Sequence, residues 1–326
     1  IGNQNCGKTT LFNALTGSSQ HVGNFPGVTV EQKTGFIKKH KDELELIDLP
    51  GIYSLSPYTA EEIVSIRYLL EEKPCLIINI IDATNMERNL YLTTQLLELN
   101  IPMILVLNMM DEVITSGNSI DIDGLKERLE MDIVPISASK NEGIEDVITA
   151  IENNLDKPSQ HIDICHGVVH KAIHSISHIV EQSAQSLQLP LRYCVTKIIE
   201  GDDEMFDQLH IDQGDRHIIE HILQKMEEEA GTDREAALVD MRYSFIEDVC
   251  KQTVFIESET KEQIRSEKID RLLTHKYLGI PIFILIMLLI FYLTFSLIGA
   301  PLQDLMDSII GEFSNMIIRL LEQYDV

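Results

Sequence analysis

Positive charge is what this sequence has least of: 26 lysines and arginines stand against 52 aspartates and glutamates, a formal net charge of −26. A duplex nucleic-acid partner requires a basic face to neutralise phosphates, so this balance argues against nucleic acid and reads as a solubility feature. The five cysteines show no framework spacing, and Cys6 and Cys75 fall in a tight loop and an apolar run. Reduced thiols, rather than disulfides, are the expectation. No signal peptide opens the chain. Hydrophobic residues make up an ordinary 44% of 326 positions, enough for a sizeable core and two or three domains.

What is present begins at once. Residues Gly2, Asn3, Gln4, Asn5, Cys6, Gly7, Lys8 and Thr9 spell G-x-x-x-x-G-K-[ST], followed by Thr10. This is the phosphate-binding P-loop. Gly2 and Gly7 let the backbone turn its N–H groups toward phosphate oxygens. Lys8 supplies a point charge and the Thr9 hydroxyl a ligand for Mg²⁺. A helix starting near Leu11 aims its positive end at the same anion. Only Ile1 precedes Gly2, which predicts that the chain starts inside a strand, as a piece of a larger membrane protein would.

Gln20 to Glu31 is rich in glycine, asparagine and proline and reads as a mobile loop carrying Gly27, Val28 and Thr29. Strands are expected over Thr34–Lys39 and Glu43–Ile47, the second ending in Asp48-Leu49-Pro50-Gly51. An acid there can hold Mg²⁺ through water, and Gly51 can offer its N–H to a terminal phosphate. The apolar runs Cys75–Ile81 and Pro102–Leu107 fit parallel strands buried on both faces. Helices between them predict a doubly wound, mostly parallel α/β sheet, with ligands at the strand carboxyl ends. Asn108-Met109-Met110-Asp111 ends one strand and Ser137-Ala138-Ser139-Lys140 another. The Asp111 carboxylate can accept from N1–H and the 2-amino group of guanine, a donor pair that adenine lacks. The Ser137-Ala138 backbone is placed to meet the base oxygen.

The order GNQNCGKTT, NFPGVTVE, DLPGIYSLSPYT, NMMD and SASK resembles the ferrous iron transport protein B (FeoB) family, whose members are bacterial and archaeal membrane proteins. The resemblance implies GTP and GDP as ligands, slow GTP hydrolysis, Fe²⁺ as the ion transported by the complete protein, and cytoplasmic N-terminal domains at the cell (inner) membrane. It makes Thr29 the switch I threonine on Mg²⁺ and the terminal phosphate, within Phe25–Glu31, and places switch II over Ile52–Tyr58. It casts Lys8, Thr29 and Asn5 as the groups acting on the transferred phosphate. Ile52 stands where Ras-type enzymes carry a water-orienting glutamine, so slow hydrolysis, or water positioned by backbone and other groups, is expected; Met109 stands where a lysine is usual. In cation-activated relatives an asparagine at the Asn5 position helps hold K⁺; alternatively Asn5 only tolerates a tight backbone conformation. Other readings are a soluble Era-like G protein of ribosome assembly or tRNA modification, and a membrane-tethered switch without transport. The resemblance also leaves room for a homo-oligomer.

The expected domains are 1–156 (a G domain with a truncated first strand), 164–269 (helical, resembling the GDP-dissociation-inhibitor domain of the family), 277–300 (a membrane helix) and 301–326 (an amphipathic helix). Breaks in the helical part fall at Gln188-Leu189-Pro190, Gly201-Asp202 and Gly231-Thr232-Asp233, and no strand pattern stands out there. His166, His170, His174 and His178 recur every four residues and form one slanting helical stripe, either a polar face or a transition-metal site; His217 and His221 repeat the spacing. Tyr277 to Ala300 is apolar almost throughout and long enough to span a bilayer. Lys268, Arg271 and Lys276 precede it and Asp304, Asp307 and Glu312 follow, which puts the N-terminal side in the cytoplasm. The amphipathic end is expected to meet membrane lipid or the remaining membrane helices of the same chain.

Overall fold

The computed structural model describes residues 1–17, 20–26, 28–37, 44–56, 59–155, 157–159, 162, 164–256, 273 and 279–323. It falls into two units, Ile1–Glu257 and Ser258–Val326.

The first unit opens with the P-loop and α1 (Lys8–Thr16), then β1 (Gln20–Asn24), β2 (Glu31–Phe36) and β3 (Glu45–Asp48). These strands form an antiparallel sheet in the order β1-β2-β3, with Asn24 opposite Glu31 and Lys33 opposite Asp48. The loop expected over Gln20–Glu31 is therefore half strand. Cross-strand pairing with β2 overrides the weak local preference of Gly23 and Asn24. Helix α2 (Ala60–Glu71) starts on a capping box in which Thr59 and Glu62 each bond the other's backbone N–H.

The parallel sheet follows as β4 (Ile77–Asp82), α3 (Met86–Leu97), β5 (Met103–Asn108), α4 (Met110–Thr115), β6 (Ser119–Ile120), α5 (Ile122–Leu129), β7 (Ile133–Pro135) and α6 (Ile144–Asn154). Its order is β4-β5-β7, and Gly2 pairs in parallel with Ile80 at the open edge of β4. Period-two alternation splits the side chains between two cores. Ile80, Ile104 and Val106 pack with Leu11, Leu15 and Val147, whereas Ile81, Leu105 and Leu107 pack on the other side with Leu92 and Leu96.

The second of these cores continues without a break into the helical part, through Cys194, Val195, Leu238 and Ile246. That part comprises α7 (Gly167–Ser186), α8 (Leu191–Ile199), α9 (Asp203–Gln208), α10 (Gln213–Ala230) and α11 (Arg234–Thr253). Its turns fall at Leu187–Pro190, Gly201–Asp202 and Gly231–Asp233. Asp202, Asp212 and Asp233 cap the helices that follow, and Gly231 ends α10 in the left-handed conformation at φ 72°. Where sequence showed no strand, β8 (Val254–Phe255) pairs antiparallel with β6 of the preceding part. Two residues are too short for a period-two signature; only the partner strand creates the element.

The second unit contains one uninterrupted run of helix: α12 (Gly279–Tyr292), a π-helical stretch over Leu293–Gly299, and α13 (Ala300–Gln323). Within Gly279–Gly311 an 18-residue window has a mean hydropathy of 2.7, and none of that window is buried. At about 1.5 Å per residue, a helix over Gly279–Gly311 exceeds a hydrocarbon core of about 30 Å. The backbone stays helical across residue 300, where the π-helical stretch gives way to α-helix. The Ala300 N–H reaches back five residues to the Phe295 carbonyl, and this wider turn carries the helix past Pro301, which has no donor of its own. Tyr277 lies outside the described residues.

Candidate functional site

The P-loop glycines are demanded by close approach. A Cβ on Gly2 would lie 2.0 Å from the Ile80 carbonyl oxygen, and one on Gly7 2.1 Å from Asn108 Nδ2. Gly7 also has φ +94°, and Asn5 is left-handed at +64°. The loop is thus wedged between β4 and the end of β5 before α1 begins.

A cleft of about 370 Å³ lies over it, lined by Gln4, Asn5, Lys8, Thr9, Asp48 and Gly51 among others. Lys8 Nζ is folded back onto the Asn3 carbonyl at 2.7 Å. Burial lowers its pKa, with Cys6 and Asp48 pulling the other way. The Thr9 hydroxyl donates to Asp48 Oδ2 at 3.4 Å, so two oxygen ligands suited to a hard divalent cation stand together. Gly51 is pressed against the P-loop, where a Cβ would come 2.7 Å from Lys8 Nζ. Asn3 and Cys6 are buried and offer backbone only, while Thr10 lies exposed in α1.

The segment expected to be switch I, Phe25–Glu31, is less closely assembled. Val28 packs against the main core, and Thr29 is exposed beside Val30 and Glu31, which line the cleft; Thr29 is not among the described lining residues. Gly27, Pro57 and Tyr58 lie outside the described residues. Ile52 is 2% exposed, and its N–H donates to the Gly2 carbonyl at 3.3 Å. Its side chain therefore belongs to the core, not to the cleft.

The other motifs meet at the ends of β5 and β7. Asn108 is a brace: Nδ2 donates to the Cys6 carbonyl at 2.8 Å, and Oδ1 accepts from the Ala138 N–H at 2.9 Å. The Ser137 N–H goes to the Glu142 carbonyl. The Ser137 and Ala138 N–H groups thus both meet partners within the protein in this arrangement. Asp111 stays accessible. Its Oδ1 accepts from the Ser137 hydroxyl at 2.9 Å and its Oδ2 pairs with Lys140 at 3.0 Å. Lys140 and then Ser137 hold the Asp111 carboxyl below its ordinary value, so it is firmly ionised, and the same contact raises Lys140. Lys140 went unremarked in the sequence beyond its place in SASK; only the fold brings it to Asp111. Lys33, in the cleft lining through the hairpin, carried no signal at all.

His170, His174 and His178 are exposed on α7, whereas His166 precedes the helix with extended backbone (φ −144°) and so leaves the expected helical stripe of four one short. His174 and His178 rings stand 4.6 Å apart, His170 and His174 6.5 Å. Among the described residues no group of three metal-binding side chains assembles, so the stripe offers pairs.

Comparison with known proteins gives this geometry a context. The model of ferrous iron transport protein B matches residues 1–151, and that of the FeoB cytosolic helical domain matches residues 166–254. The chain is 36% identical over 313 residues to the Fe(2+) transporter FeoB of Staphylococcus aureus (strain MSSA476), covering 95% of this chain and 46% of that protein. It is also 36% identical over 334 residues to the Fe(2+) transport protein A/Fe(2+) transporter FeoB fusion protein of Porphyromonas gingivalis (strain ATCC BAA-308 / W83), covering 97% of this chain and 39% of that one. The chain thus spans less than half the length of these relatives. Among solved structures, a mutant of S. thermophilus NFeoB bound to GDP has a TM-score of 0.74 at 41% identity, covering 78% of this chain and 97% of that one. S. thermophilus NFeoB bound to GDP.AlF4- and K+ has a TM-score of 0.68 at 42% identity, covering 77% and 97%.

Proposed function

The chain belongs to the ferrous iron transport protein B (FeoB) family, and we propose that its G domain binds GTP and hydrolyses it slowly to GDP and phosphate, as the regulatory region of an Fe²⁺ transporter. The observation that carries this reading is one continuous line of groups along the strand ends. Lys8, Thr9, Asp48 and Gly51 gather at one end and an ionised Asp111 at the other, with Asn108 tying the two through Cys6 and Ala138.

In this reading Lys8 leaves the Asn3 carbonyl for the β- and γ-phosphates. Thr9 and Asp48 hold Mg²⁺ with Thr29, which moves in from its exposed position when switch I closes. Mg²⁺ held there would supply positive charge to offset that of the phosphates. Gly51, already against Lys8, offers its N–H to the γ-phosphate. Asp111 pairs with the guanine N1–H and 2-amino group. Asn5 helps hold K⁺ beside the phosphates, where charge builds during transfer; its left-handed backbone turns it into the cleft lining and accounts for an asparagine here on either view. With Ile52 buried, no side chain at that position orients water, which supports a slow rate.

GTP would order switches I and II, and hydrolysis would release them, biasing the membrane part. Residues Gly279–Gly311 would cross the membrane with the G domain on the cytoplasmic side, packing against lipid and further helices of the complete protein. Phosphate release from GTP and from ATP, each in K⁺ and in Na⁺, tests the reading. GTP cleavage faster in K⁺ is expected; preference for ATP would overturn the assignment of Asp111.

A further inference from the structure

Buried charge is the strongest feature of this chain outside the nucleotide site. Lys197 and Arg242 are 4% and 1% exposed. Lys197 Nζ, on α8, donates to Glu200 Oε2 at 2.6 Å and to the carbonyl of Leu55 at 2.8 Å. Arg242, on α11, takes the other Glu200 oxygen at 3.1 Å and both oxygens of Glu98 at 2.9 and 3.2 Å. The Thr196 hydroxyl donates to the same Glu98 carboxylate at 2.8 Å. Two cations and two carboxylates leave the cluster neutral. Burial works against the Arg242 charge, but Glu98 and Glu200 outweigh it and raise its pKa.

Leu55 is the point where this cluster touches switch II. Its side chain is 2% exposed and its N–H donates to Gln95 Oε1 of α3 at 2.8 Å. The backbone of this one residue is therefore gripped twice, from the G domain by Gln95 and from the helical part by Lys197. Only four positions separate it from Gly51 at the P-loop, and Ile52 between them is tied to Gly2. A shift of Gly51 must be absorbed within those positions or passed on to Leu55. A neutral donor would satisfy a lone carbonyl at less desolvation cost, and a buried ion cluster is a weak stability device; fixing one arrangement is what it does well.

We propose that Lys197 is a positioning residue of the nucleotide cycle: its ammonium group fixes the far end of the Asp48–Leu55 segment, so that the arrangement of Gly51 and the packing of α8 form one two-state element. This rests on the GTP reading above. Its measurable consequence is that the ratio of GDP affinity to the affinity for a non-hydrolysable GTP analogue depends on Lys197.

The test compares both affinities, by titration of fluorescent nucleotides, for the intact chain and for Lys197→Met and Lys197→Arg. Coupling between sites commonly amounts to roughly 5- to 150-fold. The ratio is expected to move at least about fivefold in Lys197→Met and to recover in large part in Lys197→Arg, which a merely structural loss affecting both nucleotides equally would not produce. A ratio unchanged within about twofold in folded Lys197→Met overturns the proposal while leaving nucleotide binding intact. Absence of guanine-nucleotide binding by the unaltered chain overturns the functional reading as well. Should Lys197→Met fail to fold, amide hydrogen exchange of the unaltered chain decides: protection of Leu55 and of α8 differs between the GDP and analogue complexes if they move as one element, and identical protection in both overturns it.

Discussion

Replacing Asp111 by asparagine separates base selection from folding. In the proposed complex the carboxylate accepts two charge-assisted hydrogen bonds from guanine, each contributing about 1.5–3 kcal/mol net. Asparagine retains one acceptor without the charge and presents an amine to the guanine 2-amino group. The expected loss is about 3–4 kcal/mol, or about 10²- to 10³-fold in GDP affinity. The fold should hardly notice: Asp111 has a 21% exposed side chain, and its partner Lys140 is 53% exposed, so their ion pair is worth about 0–1 kcal/mol. The amide donor would suit xanthine, which carries a carbonyl at the same ring position, so affinity for xanthosine diphosphate should rise as that for GDP falls. Competition between the two diphosphates for a fluorescent nucleotide reads this directly. Retention of GDP affinity within about threefold would refute the assignment of Asp111. The pH dependence has a definite sign. The folded carboxyl titrates below its ordinary value of 3.8, so its charge is present above that value and is lost only as pH falls through the depressed one. GDP affinity should therefore show no loss from this group between pH 7 and pH 5.

Asn108→Ala should behave in the opposite way to Asp111→Asn. It leaves the Cys6 carbonyl and the Ala138 N–H unpaired in buried positions, at about 1–3 kcal/mol each; an unfolding free energy from urea titration lowered by less than about 1 kcal/mol would contradict its role as a brace. Asn5→Ala should keep GDP binding but lose the excess of hydrolysis in K⁺ over Na⁺, and full retention of that excess would remove the K⁺ role. The α7 histidines offer pairs, so calorimetric titration with Zn²⁺ should give at most weak, exchangeable binding that weakens further in His174→Ala; a tight stoichiometric site would require ligands beyond the pairs seen here.

The phosphate end of the site was legible because its signal is local. Gly2, Gly7, Lys8 and Thr9 are spelled in one short loop, and each glycine is required by a contact the motif already implies. The buried strands and the long apolar helix were legible for the same reason: unbroken runs in β4, β5 and 279–300 need no partner to be recognised. The family resemblance added the switch threonine and the expectation of K⁺, neither of which spacing alone could supply.

Tertiary structure decided what depends on partners far apart in sequence. Gln20–Asn24 has a loop's composition and becomes a strand because β2 supplies its hydrogen bonds. Asn108, read as a selector of guanine, is also the brace between Cys6 and Ala138, residues 102 and 30 positions away. Ser137 and Ala138 could be placed at a strand end from the sequence, but their N–H partners, Glu142 and Asn108, come only from the fold. Lys197 offered no local pattern at all; its meaning comes from a carbonyl 142 residues earlier. Sequence fixes the local chemistry, since motif and periodicity act over a few residues. Which buried donor meets which acceptor is settled only when the chain closes on itself, because every buried polar group must then find whatever partner the packed core brings within reach.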